Sequence, residues 1–491
     1  MYRSIVEAVF SYAETQPQKL CLADETRSVN YAQYKEEICK MASYLLKLGV
    51  DKSDRVLVEA SQTISYLALE LAIQLIGAVF VPVERNCAWN KTERIINVSG
   101  AKIAVINKAT AEPVDNVYTL VDFTAQADNE APYAYTSLPE KDDVSEILFS
   151  TGTTGAEKGI VLSHDNNIAL AENVIYGVEM CDDNIELIPS PMNHSHGLRR
   201  YYGNMVKGAT VILITGAMNV KLFFEMMDKY KVNSIDLVPT ALSVLLKLSK
   251  NKFAEYKDIL RYIQFGSAPL VVADMQAIRG MLPDTRLYNF YGSTESGCIC
   301  IYDFNTDNDK PKCIGKPAHN VKIVIVDEDR NEIQSSADNT GLVASYGRMN
   351  MLGYWNDENE TAKVMADGFI YSNDEAYFDD DGDIILLGRK GDVINTGGNK
   401  VSPDEIEEAA KKHESVADCG CIGVPDPMKG SVPKLFIQVK EGYEFDQIAI
   451  RSHLANLLEP YKVPAYIVEI DKIQRSFNGK LLRRVLREID S

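Results

Sequence analysis

Apolar and polar positions along the first three quarters of the chain follow two alternating patterns. Short β-branched runs at 55–60, 79–83 and 103–106 are separated by longer segments at 63–76 and 91–99 whose apolar residues have helical spacing. Strands that alternate with helices predict parallel sheets with helices on both faces. The sequence therefore predicts an α/β fold for this part of the chain.

The pattern changes between about residues 320 and 390, where strand-like runs are joined by tight turns. The acidic run 379–383 contains a glycine and predicts a hairpin turn between two strands. A smaller α+β unit follows, and its first helix is predicted to begin at 402–405, with proline in the first turn and two acids near the positive end of the helix dipole. We therefore predict a domain boundary at about residue 390.

Composition narrows the class of protein. The 491 residues are 46% hydrophobic and 25% charged, which predicts a globular protein of two or three domains. The 51 basic residues face 70 acidic ones, a net charge of −19 that repels phosphate backbones and anionic membranes. Because the sequence contains no local basic patch, we predict no nucleic-acid partner.

The compartment is predicted from the N-terminal sequence, one apolar stretch and the cysteines. The N-terminus lacks the features of a secretory signal. The apolar stretch 63–83 contains Glu70 and Gln74 and is divided by Gly77 and Pro82, so we predict core and no membrane span. The nine cysteines include no Cys-x-x-Cys pair, and the six histidines lack zinc spacing. Reduced, mostly buried thiols predict a cytoplasmic protein.

The most informative stretch for chemistry is 147–164, ILFSTGTTGAEKGIVLSH. An apolar strand leads into a turn with three glycines, four hydroxyl side chains and Lys158. Glycines let backbone N–H groups approach an anion, while the hydroxyls and the lysine add donors and positive charge, so the turn is suited to a polyphosphate. Lys158 is followed by Gly159, which excludes the Walker pattern. The alternative is a polar turn between two secondary-structure elements.

This loop resembles the phosphate loop of the adenylate-forming superfamily, which comprises acyl-CoA and aryl-CoA ligases, peptide-synthetase adenylation domains and luciferases. Glu157 stands where proline is common in that family. Further segments resemble the family's other motifs in the same order along nearly the whole chain, namely FGSAPL at 265–270, YNFYGSTESG at 288–297, GYW at 353–355 with Thr361 and the Asp-Gly pair at 367–368, the hinge region at 372–407, YKVP at 461–464 and NGK at 478–480.

The resemblance implies a two-step reaction. A small carboxylic acid reacts with ATP in the presence of Mg²⁺, pyrophosphate leaves, and a thiol then displaces AMP from the acyl-adenylate. The expected acceptor is coenzyme A, and the alternative is a stand-alone enzyme that loads the phosphopantetheine of an acyl-carrier protein, or an amine. A catalytically silent nucleotide-binding relative is the alternative from a different class.

The resemblance also assigns the nucleotide site. The implied residues are Thr151, Gly152, Thr153, Thr154, Gly155 and Lys158 for the β- and γ-phosphates, Gly266, Ser267, Ala268 and Pro269 beside adenine, Asn289, Phe290, Tyr291, Gly292 and Ser293 in the segment whose Tyr291 stacks on the base, Thr294 for the α-phosphate, Glu295 for Mg²⁺, and Asp374 and Arg389 for the ribose. Taken alone, Glu295 could be a solvated carboxylate, Tyr291 a core aromatic residue, and Arg389 one half of a surface salt bridge with the acids at 379–383.

The C-terminal part is implied to be a mobile lid. Lys480 would reach the carboxylate and the α-phosphate during adenylation. Rotation of the lid about Gly391, where the family more often has aspartate or lysine, would then move Lys480 out of the site for the thiol step. Asn373 stands where glycine usually precedes the ribose aspartate. The implied organisation is an N-terminal domain at 1–388 with a strand-rich, barrel-like subdomain at about 315–388, a hinge at 389–391 and a small α+β domain at 392–491.

The acid-binding segment is implied to be PMNHSHGL at 191–198. His194 is the expected neighbour of the substrate carboxylate, with a satisfied core histidine as the alternative. Peptide-synthetase domains place an aspartate at the next position to bind an ammonium group, whereas this chain has Ser195, so we expect an acid other than an α-amino acid. Arg199 and Arg200 could pair with a second anionic group of the substrate or could be surface charges on a helix.

Overall fold

The computed structural model describes residues 2–151, 157–266, 272–305, 310, 312–396, 399–475 and 481–490. The helices in these ranges are α1 Ile5–Thr15, α2 Tyr31–Lys47, α3 Ile64–Leu75, α4 Trp89–Ser99, α5 Leu120–Ala127, α6 His164–Gly177, α7 Ser195–Lys207, α8 Val220–Tyr230, α9 Pro239–Ser249, α10 Val272–Met281, α11 Glu358–Val364, α12 Pro403–Lys411, α13 Gln447–Leu457 and α14 Arg483–Asp490, with a short 3₁₀ helix at Lys252–Tyr256.

The strands in the same ranges are β1 Leu20–Ala23, β2 Ser28–Asn30, β3 Arg55–Glu59, β4 Val79–Val83, β5 Ala101–Ile106, β6 Val117–Thr119, β7 Val144–Thr151, β8 Glu157–Ser163, β9 Ile185–Ile188, β10 Thr210–Leu213, β11 Ser234–Leu237, β12 Tyr262–Gly266, β13 Arg286–Ser293, β14 Gly297–Asp303, β15 Cys313–Pro317, β16 Val321–Val326, β17 Gly341–Gly347, β18 Gly353–Tyr354, β19 Met365–Ala366, β20 Phe369–Phe378, β21 Ile384–Arg389, β22 Ile394–Thr396, β23 Asn399–Val401, β24 Val416–Asp426, β25 Gly430–Val439 and β26 Tyr466–Glu469.

The described residues group into two compact units. The first contains residues 1–309, 315–323 and 345–371, and the second contains residues 310–314, 324–344 and 372–491. The boundary near residue 390 and the hinge at 389–391 stay predictions.

The first unit is built on two sheets with parallel cores. In one sheet, strands β1, β10, β9, β11, β12 and β13 are neighbours in that order and run parallel, and the antiparallel strands β2 and β14 extend it. In the other, β7, β4, β3, β5 and β6 are parallel, and β8 pairs with β7 in the antiparallel sense. The predicted α/β fold with parallel sheets is confirmed.

The apolar stretch 63–83 forms core. Thr63 caps α3 by accepting a hydrogen bond from the backbone of Tyr66, and the helix is buried on every side except at one residue. The five residues of β4 that follow are also buried. Among the described residues, no helix is both long enough and apolar enough to cross a lipid bilayer. The prediction that this stretch is core is confirmed.

The second unit contains a hairpin and an α+β part. Strands β20 and β21 pair from Asp374 opposite Arg389 to Phe378 opposite Ile384, so the acidic run 379–383 forms the predicted turn. The α+β part has a sheet in the order β23, β22, β25, β24, with β26 parallel to β25. Helix α12 begins at Pro403, as the sequence predicts. The small α+β unit is therefore confirmed.

Candidate active site

Lys158 lies on β8, directly after the hydroxyl-rich turn. Its ammonium forms an ion pair with Glu360, with 2.5 Å between Nζ and Oε2, and lies 5.1 Å from the centre of the Tyr354 ring. The hydrogen bond from Lys158, followed by that from Lys363, lowers the pKa of Glu360 to about 2. The backbone of Thr151 ends β7, whereas its side chain and residues 152–155 lie outside the described residues.

Tyr354 also contacts the carboxylate predicted to hold the metal. Its hydroxyl donates a hydrogen bond to Glu295, with 2.9 Å between Oη and Oε1. Burial, together with the charge of Glu295, raises the pKa of Tyr354. The phenol therefore stays protonated and can donate this hydrogen bond. One tyrosine thus joins Lys158 and Glu295, which belong to separate sequence motifs. The sequence analysis noted GYW at 353–355 but gave Tyr354 no role.

Thr294 and Glu295 lie in the tight turn between β13 and β14. The hydroxyls of Ser293 and Ser296 are 3.0 Å apart, and the backbone N–H of Met351 donates to the carbonyl of Glu295 at 2.8 Å. Gly292 is required here, because a Cβ atom on it would lie 1.8 Å from the carbonyl oxygen of Gly297. The turn is therefore held from several directions before any ligand binds.

The segment predicted to contact adenine runs along β13. Asn289, Phe290 and Tyr291 are consecutive residues of this strand, and Phe290 pairs with Gly266 at the end of β12. The side-chain oxygen of Asn289 is buried and has no hydrogen-bond partner among the described residues, so it can accept a hydrogen bond from an amino group. Residues 267–269 lie outside the described part of the chain.

His194 is the residue immediately before α7. Its Nε2 lies 3.3 Å from the side-chain nitrogen of Asn193. Burial lowers the pKa of His194, so the imidazole is neutral near pH 7. A neutral imidazole can donate one hydrogen bond to a substrate carboxylate but does not supply a full positive charge.

A second histidine of the same segment belongs to a buried charge cluster that the sequence analysis missed. Asp236, fully buried on β11, lies 2.9 Å from Nε2 of His196 and 3.1 Å from Nε of Arg200, and it accepts a hydrogen bond of 2.5 Å from Ser190. Burial alone would raise the pKa of Asp236, but these partners outweigh it and keep the pKa below its ordinary value. The spacing His-x-His at 194–196 was the available signal.

Both arginines at the start of α7 are buried, which contradicts the alternative that they are surface charges. Arg200 is 1% exposed and lies over the ring of Phe290 at 3.9 Å. Arg199 is 9% exposed and donates from Nη2 to the carbonyl of Ser293 at 2.5 Å. Helix α7 is buried along most of its length, because it packs between other elements instead of lying on the surface.

In the second unit, Asp374 and Arg389 face each other across the hairpin. Nε of Arg389 lies 3.4 Å from a carboxylate oxygen of Asp374, and both side chains keep partial exposure. The backbone of Asn373 accepts a hydrogen bond of 2.6 Å from Lys390. The two residues predicted to contact the ribose are therefore neighbours.

The acids at 379–383 have a different partner. The ammonium of Lys310 lies 2.9 Å from Asp379, 2.8 Å from Asp381 and 2.5 Å from Asp383. The alternative in which Arg389 pairs with one of these acids is therefore wrong, because Arg389 contacts Asp374. Gly391 has a φ of +88°, and Lys480 lies outside the described residues.

Comparison with known proteins extends over the whole chain. Residues 9–355 match the family described as AMP-binding enzyme, and residues 405–480 match the AMP-binding enzyme C-terminal domain. A 2-succinylbenzoate–CoA ligase from Bacillus cereus is 27% identical, covering 96% of each chain. The fatty acid–acyl-carrier-protein ligase MmaC from Mycobacterium marinum is 26% identical, covering 98% of this chain and 97% of the relative.

A solved structure has the same fold. ATP-bound MatB from Rhodopseudomonas palustris superimposes with a TM-score of 0.87 and 24% identity, covering 100% of this chain and 99% of that chain. At this identity the likeness concerns the fold alone.

Proposed function

The chain belongs to the family of AMP-binding enzymes, and we propose that it activates a carboxylic acid with ATP and transfers the acyl group to a thiol. The first product is the acyl-adenylate, formed with release of pyrophosphate, and the proposed acceptor of the second step is coenzyme A. The observation that carries this proposal is the contact of Tyr354 with both Lys158 and Glu295. In this proposal Lys158 is the cation that binds phosphate and Glu295 is the carboxylate that binds the metal, so their shared contact with Tyr354 supports a common site.

In the proposed first step, an oxygen of the acid's carboxylate attacks the α-phosphorus of ATP while pyrophosphate leaves. Negative charge collects on the phosphate oxygens, so the site must supply preorganised positive charge and donors. Lys158, with the turn at 151–155, would hold the β- and γ-phosphates, and Thr294 would donate to the α-phosphate. Lys158 forms an ion pair with Glu360, and this pair would break when Lys158 binds the nucleotide.

The side chains of the site also suit a Mg²⁺ ion and the adenine base. Glu295 offers a carboxylate oxygen, the ligand type that Mg²⁺ prefers, and bound Mg²⁺ would neutralise phosphate charge. The buried and unpartnered oxygen of Asn289 fits the amino group of adenine. Gly266 to Pro269 would line the base, on which Tyr291 would stack.

The second unit would complete the site in two stages. Asp374 would accept hydrogen bonds from the ribose hydroxyls, and Arg389, already its neighbour, would contact the same sugar. Lys480 would enter for adenylation. Rotation about Gly391, whose φ of +88° suits glycine, would then remove it and admit the thiol.

The acid is proposed to be one without an α-amino group. Ser195 begins α7 where an aspartate would be needed to bind an ammonium group, and neutral His194 would contact the carboxylate. Coenzyme A and the phosphopantetheine of a carrier protein present the same thiol, and relatives that cover the whole chain are named for each. We place the enzyme in the cytoplasm, because seven of its nine cysteines are buried thiols.

The test is a panel of aliphatic and aromatic acids incubated with ATP and Mg²⁺, with pyrophosphate release measured in three parallel arms. The arms contain no acceptor, coenzyme A or a phosphopantetheinylated carrier protein. We expect slow release without acceptor and sustained turnover with coenzyme A. Turnover only with the carrier protein would change the acceptor, and absence of release with every acid would leave a silent nucleotide-binding relative.

A further inference from the structure

Arg199 carries a buried positive charge that has no ion-pair partner among the described residues. Its side chain is 9% exposed, and its Nε atom has no hydrogen-bond partner among the described residues. In the described part of the chain, no carboxylate oxygen lies within 4 Å of its guanidinium, whereas the adjacent Arg200 pairs with Asp236 at 3.1 Å. Burial lowers the pKa of Arg199 to about 10, so it remains a cation at neutral pH.

The nearby carboxyls do not neutralise it by contact. Glu146 and Glu295 attract Arg199 electrostatically. Glu146, however, is bound to Tyr202 at 2.7 Å, and Glu295 is bound to Tyr354 at 2.9 Å. A buried charge that lacks a hydrogen-bonded counter-ion destabilises a folded chain about as much as a broken buried ion pair does. Stability alone therefore does not account for an arginine at this position.

Among the described residues, the one hydrogen bond of Arg199 leads to the turn that carries Thr294 and Glu295. Nη2 donates to the carbonyl of Ser293, at 2.5 Å, and Ser293 directly precedes Thr294 and Glu295. The guanidinium therefore supports the turn from the side of α7, while Met351 supports it through the backbone of Glu295. Its charge lies next to the residues that face developing phosphate charge in the proposed reaction.

We propose that Arg199 is a positioning residue of the adenylation step, which holds the Thr294–Glu295 turn through the carbonyl of Ser293 and supplies a positive charge that the anionic nucleotide balances. This inference rests on the proposed function and adds a residue to it. Because Arg199 has no ion pair among the described residues, the binding of an anionic nucleotide would not have to break one.

Two substitutions separate charge from shape. Arg199→Met removes the charge and the donor but keeps a long apolar side chain, and Arg199→Lys keeps the charge. We expect R199M to unfold at a urea concentration equal to or higher than that of the unchanged protein, because replacing an unpaired buried charge with apolar atoms is neutral or stabilising. The same variant should lose roughly 10²-fold in ATP–pyrophosphate exchange, and R199K should recover at least about tenfold of that loss.

Arg261→Met is the matched control. Arg261 is 42% exposed and pairs with Asp183 at 2.5 Å, so this variant also loses a guanidinium of the first unit. We expect its exchange rate to stay within about threefold of the unchanged protein, because a surface ion pair contributes little.

A binding measurement keeps the inference separate from the identity of the acid. Titration calorimetry with MgATP requires no acid, and R199M should bind at least about tenfold more weakly than the unchanged protein, with R199K in between. Nucleotide affinity and exchange that match the unchanged protein would overturn the proposal. So would a destabilised or unfolded R199M, since Arg199 would then be a structural residue. Absence of exchange in the unchanged protein, with MgATP binding still weakened in R199M, would refute the proposed reaction and not the role of Arg199.

Discussion

At the scale of single residues, Tyr202 has one hydroxyl hydrogen and two carboxyl neighbours. Its oxygen lies 2.6 Å from Glu70 and 2.7 Å from Glu146, and all three side chains are buried. The hydroxyl can donate to only one of them, so the other carboxyl must carry a proton and donate to Tyr202. Burial raises the pKa of Glu146 to about 7, and burial together with the charge of Glu146 raises the pKa of Glu70 well above its ordinary value. The two glutamates and Tyr202 therefore hold a proton that two solvent-exposed carboxyls would release at neutral pH.

The titration of Glu146 makes the free energy of unfolding depend on pH. Folded Glu146, with a pKa near 7, holds its proton more tightly than the unfolded chain, whose glutamate pKa is 4.5. The stabilisation is complete below pH 4.5 and is lost as the pH rises through 7, by up to about 3 kcal/mol. In urea unfolding at pH 5 and pH 8, Glu146→Gln should lose less stability than the unchanged protein over this interval. Glu93→Gln, at an exposed position, is the control, and an unaltered pH response in E146Q would contradict the raised pKa of Glu146.

Lys480 provides the second prediction at this scale. Lys480→Ala should lower adenylate formation by roughly 10²-fold or more, because one charge-stabilising donor disappears. Thioester formation from supplied acyl-adenylate should fall much less. Lys472→Ala, an exposed lysine of the same unit, should leave both rates within about threefold. Equal losses in the two half-reactions of K480A would show that the lysine does not serve one step alone.

At the scale of elements, α7 and the β13–β14 hairpin form one supporting structure. Helix α7 presents His196 and Arg200 to Asp236, and it presents Arg199 to the carbonyl of Ser293. Because the helix is buried, its polar residues must find partners within the first unit. The helix therefore connects the segment 191–198, which is proposed to bind the acid, to the turn that carries Thr294 and Glu295.

The hairpin turn predicts a sharp response to one methyl group. In Gly292→Ala, the new Cβ would meet the carbonyl of Gly297 at 1.8 Å, so the turn must open. We expect the free energy of unfolding to fall by about 1–3 kcal/mol. The rate of ATP–pyrophosphate exchange should fall more than in a variant that is equally destabilised at a position outside this turn. Gly280→Ala on α10 is the control, since nothing lies within 4 Å of that position, and it should stabilise the helix by roughly 0.5–1 kcal/mol. Activity of G292A at the level of G280A would show that the turn tolerates displacement.

At the scale of the whole molecule, the proposed pivot is held by the last helix of its own unit. Arg487 on α14 donates to the carbonyl of Gly391 at 2.9 Å and also pairs with Asp392. The backbone at 391–392 is thus fixed to the α+β part of the second unit. The backbone N–H of Lys390, the residue before the pivot, donates to the carbonyl of Asn373 at 2.6 Å, so rotation would be taken up at Gly391, between these two contacts.

The pivot can be tested with two glycines in similar conformations. Gly391 and Gly382 have φ values of +88° and +77°, and at neither position would a Cβ meet an atom within 4 Å. Alanine at either should therefore destabilise the protein by a similar amount, roughly 1–2 kcal/mol. We expect only Gly391→Ala to change the ratio of adenylation to thioester formation in single-turnover measurements. A ratio in G391A equal to that in G382A would place the pivot elsewhere.

The sequence predicted most of the fold because local patterns determine local structure. The apolar stretch 63–83 contains both a helical and a strand pattern, and it folds into α3 and β4. The acidic run 379–383 predicted a turn because its residues favour turn backbone whatever surrounds them. The prediction of a polyphosphate-binding turn came from the same source, since the spacing of glycines, hydroxyls and Lys158 is a property of neighbouring residues. The reaction class came from the resemblance of several motifs to a known family.

Only the tertiary structure decided which charges lie together. In sequence, Arg199 and Arg200 resemble any pair of arginines on a helix, and their burial depends on elements that the helix meets after folding. Ser293 is 94 residues away from Arg199, and Glu360 is 202 residues away from Lys158. The energy of a charge depends on its burial and on the partner within a few ångströms, and both are determined by contacts between distant parts of the chain.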